Sequence, residues 1–292
     1  MNDDINRAFA QSTINSYKKS LQSFNTFIKE RFYLDWFQAT NLHFCAYATF
    51  LYHYRDFSPA TIKTALSGIA HFFKLYFNCD PTKSHMMDKL LLAYSKIQLP
   101  DNRQPINRVL LQKLLHIREF TVKNQYYKYA FHILYTLMYR LALRVSEVAN
   151  YARFFKHAIE LQDVQLFPAN RGIHITLRSF KHGDKTKKYV LKAGEKFFTY
   201  FVNFIKLRGK ASGQLFIHLN GNNFTRQFII SVLRADLQSL GLPTNNYNTH
   251  SFRIGKTCDM AADGLSDRQI AELGRWSSNA FLKYIRPSVI QA

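Results

Sequence analysis

Three short stretches of the chain carry side chains suited to chemistry on a phosphate. In Leu143-Arg144-Val145-Ser146-Glu147 an arginine precedes a glutamate by three residues, at the close of a long aromatic run. A guanidinium there is costly to bury without a partner, and Glu147 stands at a spacing that can orient it. In Thr249-His250-Ser251-Phe252-Arg253 a histidine and an arginine share that spacing, just after Asn248 and Thr249, either of which can cap a helix. A helix start that presents both is a favourable place for a phosphate. Further on runs Leu273-Gly274-Arg275-Trp276-Ser277-Ser278-Asn279-Ala280-Phe281-Leu282-Lys283-Tyr284-Ile285-Arg286. Taken singly, these stretches read as a helix-end ion pair, a chance HxxR, a core tryptophan and one of 17 tyrosines.

The composition supports an anionic partner. The 292 residues hold 40 Lys+Arg against 19 Asp+Glu, a net charge of +21, which points to a polyanion, with nucleic acid ahead of acidic membrane surfaces. At 47% hydrophobic and 15% aromatic residues the chain can bury a core, which excludes wholesale disorder. The charge is unevenly placed: residues 1–104 hold 12 basic and 8 acidic residues, a net of +4, and residues 105–292 hold 28 and 11, a net of +17. The shift falls at Leu99-Pro100-Asp101-Asn102-Arg103-Gln104-Pro105, which holds two of the seven prolines and reads as a linker. Two domains are therefore expected, residues 1–99 and 106–292, joined by residues 100–105. The apolar run over residues 130–139 is about half the ~20 residues a membrane span needs, so it reads as a buried helix. Three widely spaced cysteines without a CxxC pair argue against a disulfide framework or a zinc site. The acidic N-terminus has no apolar segment of a secretory signal.

The elements that must position these residues can be read from periodicity. Ile14, Tyr17, Leu21, Phe24, Phe27 and Ile28 form one helical stripe, and Ile62, Leu66, Ile69, Phe72, Phe73 and Tyr76 form another. Ser58 and Pro59 mark the start of the second as N-cap and first helical residue. Residues 42–54 and 86–96 are also expected to be helical, giving an all-helical first domain. Lys63 and Lys74 lie off the apolar stripe, where they can face a phosphate backbone or simply solvent. In the second domain residues 110–120 and 126–143 read as helices. Gly172-Ile173-His174-Ile175-Thr176-Leu177 alternates as a strand, with Lys188-Tyr189-Val190-Leu191 as its hairpin partner. The turn between them concentrates positive charge. Helix returns from Gly194, with breaks at residues 209–213, 241–248 and 264. The fold class is mainly α with a small antiparallel β-sheet.

In this order and spacing, Arg144-Val145-Ser146-Glu147, His250-x-x-Arg253, Leu273-Gly274-Arg275-Trp276 and the near-terminal Tyr284 resemble the tyrosine recombinase (phage integrase) superfamily. The wording from Gly274 to Arg286 looks most like its eukaryotic DIRS and Crypton mobile-element branch. The first domain is similar to the family's helical, SAM-like core-binding domain, including Ser58-Pro59-Ala60-Thr61-Ile62-Lys63. The resemblance implies an α+β catalytic domain in which Arg144 and Arg253 clamp the scissile phosphate through the planar guanidinium fork. It implies Tyr284 as nucleophile, forming a 3′-phosphotyrosyl link and freeing a 5′-hydroxyl, with His250 as proton acceptor. Trp276 stands where the family has His or Trp, and Glu147 matches its supporting acid. Lys181 is the best match for the family's general acid on the hairpin, with Lys185 as the alternative. Lys63, Lys74, Lys185, Lys187, Lys188 and Arg275 are expected to contact DNA.

The resemblance also implies double-stranded DNA as partner, a homotetramer on DNA, and no cofactor, metal, membrane or small-molecule substrate. The expected location is nuclear for a eukaryotic mobile element and otherwise cytoplasmic or nucleoid. Two departures stand out. Trp276 and Tyr284 are eight residues apart, where many members have nine, and only eight residues follow Tyr284. Two other readings use the same residues: a domesticated DNA-binding protein without turnover, and a type IB topoisomerase, which a plasmid relaxation assay separates from recombination.

Overall fold

The apolar stripes of the first 100 residues become helices because each buries one face against another. In the computed structural model, α1 (Gln11–Phe32), α2 (Asn41–His53), α3 (Pro59–Phe77) and α4 (His85–Ile97) enclose Phe24, Phe44, Tyr47, Ile62, Ile69 and Phe73. Phe24 and Phe44 stack at 4.6 Å between ring centroids. Helix α3 starts as its sequence dictates: the Ser58 hydroxyl accepts from the Thr61 amide at 3.2 Å, with Pro59 in the first turn. The chain divides into two compact units, residues 1–101 and 102–292, and the structure describes residues 8–97, 102–149, 158–178 and 186–286.

The second unit is built around α6 (Gln125–Arg140), whose residues from Ala130 to Tyr139 are all buried. The apolar run is thus a core helix. Helices α5 (Arg108–Thr121), α7 (Glu195–Arg208) and α9 (Ser251–Ala262) pack on it. Buried Arg118 donates to both Asp236 carboxylate oxygens at 2.9 Å, and Tyr135 donates to one of them at 2.7 Å, tying α5 and α6 to α8 (Arg226–Ser239). Helix α10 (Asp267–Gly274) follows α9 across a turn at Gly264, which holds φ +77°. Among the described residues no helix is long and apolar enough to cross a membrane.

The sheet has three antiparallel strands in the order β1 (Val164–Phe167), β2 (Gly172–Leu177), β3 (Lys187–Lys192). Strand β2 turns Ile173, Ile175 and Leu177 into the core. Its register with β3 pairs Gly172 with Lys192 and Leu177 with Lys187. Strand β1 was not expected: four residues give too short an alternation to stand out. A second difference matters more for the site. Helix α6 ends at Arg140, not at residue 143, because Ala142 adopts the left-handed region at φ +45° and reverses the chain.

Candidate active site

The reversal at Ala142 aims backbone carbonyls at two arginines. Arg253 Nη1 donates to the Ala142 carbonyl at 2.5 Å, and Arg275 donates to Leu141 at 2.9 Å and to Ala142 at 3.3 Å. Arg144 then opens a short 3-10 turn, Val145–Glu147. Glu147, 1% exposed, accepts from the Arg144 amide at 2.8 Å, from Arg144 Nη1 at 3.2 Å and from Arg275 Nη2 at 2.7 Å. The carboxylate thus fixes one arginine whose side chain is 21% exposed and one that is 1% exposed.

Helix α9 begins at Ser251, one residue after His250. The Asn248 side chain accepts from the His250 amide at 2.8 Å, and the Ser251 hydroxyl accepts from the Asn248 amide at 3.1 Å, so the loop into the helix is fixed on both sides of His250. Arg253 is fully buried. Its second terminal nitrogen donates to the Gly274 carbonyl at 2.6 Å, and its guanidinium lies 3.9 Å from the Trp276 ring centroid. Burial first, then the charges of Arg144 and Arg275, pull the Arg253 pKa down to about 9. Trp276 reaches this position because residue 274 is glycine: a Cβ there would fall 1.5 Å from the indole ring.

Tyr284 ends a 3-10 segment, Asn279–Tyr284, that is anchored by buried Phe281 against Met260 and Ile270. The Cys258 thiol donates to the Tyr284 carbonyl at 3.2 Å. The Tyr284 ring stands 5.0 Å from His250 and 5.6 Å from Trp276 between centroids. These residues line an open cavity of about 830 Å³, together with Arg103, Arg144, Ser146, Lys187, Arg226 and Glu272.

The residues singled out in the sequence are placed as follows. Arg144, His250, Trp276 and Tyr284 meet at the cavity, and Lys187 joins them from β3, its Nζ donating to the Glu272 carbonyl at 3.0 Å. Arg253, expected to clamp the phosphate directly, sits behind Trp276 with its terminal nitrogens on backbone carbonyls, and is not among the cavity-lining residues. Arg275, expected to meet DNA, borders the cavity, with its guanidinium, 1% exposed, turned inward onto Glu147 and its backbone left-handed (φ +57°) at the end of α10. Lys181 and Lys185 lie outside the described residues. Lys188 is exposed on β3. In the first unit Lys63 is exposed on α3, and Lys74 pairs with Asp80 at 2.9 Å. Arg103 and Arg226 were not anticipated, since neither belongs to a motif. Among the described residues no three His, Cys, Asp or Glu side chains are grouped to hold a metal.

No protein-family model matches the chain, and no curated protein does. Solved structures do. The XerH site-specific recombinase bound to palindromic difH substrate, a post-cleavage complex, superposes with a TM-score of 0.69 at 16% identity, over 92% of this chain and 75% of that one. The Tn1549 transposon integrase in complex with transposon right end DNA gives 0.67 at 14% identity, over 97% and 93%. A lambda integrase dimer bound to a COC′ core site gives 0.63 at 12% identity, over 98% and 75%. The mainly helical architecture with its small antiparallel sheet is therefore the fold of the tyrosine recombinases and integrases to which this chain is similar.

Proposed function

We propose that the chain is a site-specific DNA recombinase that cuts and rejoins strands through a covalent 3′-phosphotyrosyl intermediate. The observation that carries this reading is the meeting of Tyr284, His250 and Trp276 in a cavity lined by Arg144. The Tyr284 hydroxyl attacks phosphorus and gives its proton to His250, whose ring stands 5.0 Å from that of Tyr284 between centroids. The bond to the 5′-oxygen breaks, and Lys181, the match in sequence to the family's general acid, supplies the proton that leaves with it. Arg144 neutralises charge on the pentavalent phosphorus. Arg253 adds positive charge from one layer below, beneath Trp276, where low dielectric strengthens its effect. The bond energy is kept in the phosphotyrosyl ester and returned on religation, so the cycle calls on neither ATP nor a metal ion. Double-stranded DNA is the substrate and a homotetramer on DNA the working assembly. The wording around Arg275, Trp276 and Tyr284 favours the DIRS and Crypton mobile-element branch, with nuclear action in a eukaryotic host.

The test is a nicked suicide duplex built from the ends of the element that encodes the chain. Wild-type protein should accumulate a covalent adduct that Tyr284→Phe abolishes while still binding the DNA. Arg144→Ala should slow adduct formation on the order of 10²–10³-fold, as when a preorganised charge-stabilising donor is lost. An adduct formed in equal yield by the Tyr284→Phe protein overturns the reading.

A further inference from the structure

No step of the proposed reaction uses Tyr189, yet this residue touches two of the cations that border the cavity. On β3, Lys187 and Tyr189 stand two positions apart and so point to the same side of the strand. Both are half-buried there, whereas Lys188 and Val190 are exposed on the other side. The Tyr189 hydroxyl accepts from Arg275 Nη1 at 2.8 Å. Arg275 Nη2 in turn donates to one Glu147 oxygen at 2.7 Å, and the other Glu147 oxygen accepts from Arg144 Nη1 at 3.2 Å. The ring of Tyr189 meets a second cation. Lys187 Nζ lies 5.5 Å from its centroid, inside the range of about 6 Å over which an aromatic face attracts a cation, and donates to the Glu272 carbonyl of α10 at 3.0 Å. Arg144, Lys187 and Arg275 all line the cavity.

We propose that Tyr189 is a positioning residue of the cavity: its hydroxyl, through Arg275 and Glu147, sets Arg144, and its ring sets Lys187. This inference rests on the reading of the cavity as a strand-cleaving site, in which Arg144 acts on the reacting phosphate. It couples the sheet to the turn after α6, so that Arg144 is aligned only while β3 is seated. The support is firm. Tyr189 lies opposite buried Ile175 in the β2–β3 register. Burial, against the pull of Arg275, pushes the Tyr189 hydroxyl above its ordinary range. At neutral pH the group therefore stays protonated, and it orients a guanidinium and an ammonium without cancelling the charge of either. A carboxylate in its place would neutralise what a phosphate must meet. Arg275 Nη1 also donates to the Leu141 carbonyl at 2.9 Å, so losing the hydroxyl loosens Arg275 without stranding it.

The test compares Tyr189→Phe, which removes the hydroxyl and keeps the ring, with Tyr189→Leu, which removes both, in the full chain. Single-turnover adduct formation is followed at saturating suicide duplex. Tyr189→Phe should slow it roughly tenfold, the scale on which an orienting outer partner acts at metal ligands, and leave duplex affinity unchanged. In an Arg144→Ala background the same substitution should cost nothing further, because the residue it acts through is gone. In a Lys187→Ala background Tyr189→Leu should cost no more than Tyr189→Phe. An undiminished rate for Tyr189→Phe, or an equal loss with and without Arg144, overturns the proposal; the second outcome is what a merely structural role would give. A readout without cleavage separates this inference from the reading beneath it. In Tyr189→Phe the side-chain nitrogen NMR signals of Arg275 and Arg144 should move, while that of Arg118, paired with Asp236, stays. If wild-type protein forms no adduct but these signals move, the recombinase reading fails and the tie from Tyr189 to Arg144 stands. An unmoved Arg144 signal overturns the tie whether or not an adduct forms.

Discussion

Glu147 is the residue on which the charge balance of the site turns. It sits among Arg144, Arg275 and Arg253, and a buried carboxylate shared in this way keeps like charges close without expelling one of them. Glu147→Gln keeps the shape and removes the negative charge that the buried Arg275 guanidinium, 1% exposed, meets at 2.7 Å. We expect a loss of about 3–5 kcal/mol in the unfolding free energy, read by urea denaturation. A loss below about 1 kcal/mol would mean that the backbone carbonyls of Leu141 and Ala142 suffice for Arg275. The pairing of Arg144 with Glu147 was legible from spacing alone. The inward turn of Arg275 was not, because it follows from a left-handed backbone and from partners more than a hundred residues away. Arg253 was legible as a site residue but not as a buried one, since the carbonyls of Ala142, on a distant turn, and of Gly274, at the end of α10, take its terminal nitrogens. Arg103 and Arg226 carry no local signal at all; only the fold brings them to one cavity.

At the scale of elements, the end of α10 sets where Trp276 lies. Gly274 gives its carbonyl to Arg253 and leaves its Cα face to the indole ring. Gly274→Ala would place a methyl inside that ring, so Trp276 must leave its stack on Arg253. Such overpacking costs typically about 1–3 kcal/mol, small enough for the fold to survive. The expected outcome is a folded protein, by circular dichroism, with intrinsic tryptophan emission shifted to the red and little Tyr284 adduct on the suicide duplex. Unchanged emission together with wild-type adduct yield would show that the stack is dispensable. Where the sequence carried a strong periodic stripe, as in α1 and α3, the element followed, because burial of one face decides both. Strand β2 was legible from its alternation and β1 was not, being four residues long and recognisable only by its pairing of Val164 with Ile175. The early end of α6 was hidden for a similar reason: residues 141–143 are as apolar as the helix before them, and the turn at Ala142 is held by arginines from elsewhere.

At the scale of the whole molecule, a charge of +21 is only a general attraction to polyanions until exposure and pairing sort it. Arg118 and Arg275 spend their charge on buried carboxylates, and Arg253 is buried beneath Trp276. Lys63 on α3 and Lys188 on β3 are exposed, whereas Lys74 on α3 is engaged by Asp80. If DNA is the partner, neutralising one phosphate shifts the slope of log affinity against log salt by about 0.9. Lys63→Ala and Lys188→Ala should therefore each flatten the slope by about that amount, and weaken binding alike for different sequences. Lys74→Ala should flatten it less, because its ammonium must first leave Asp80. Fluorescence anisotropy of a labelled duplex, titrated from roughly 50 to 200 mM salt, measures all three. A Lys74→Ala slope as flat as that of Lys63→Ala would show that the Asp80 pair gives way to phosphate. An unchanged slope for Lys63→Ala would move the DNA to another face of the first unit.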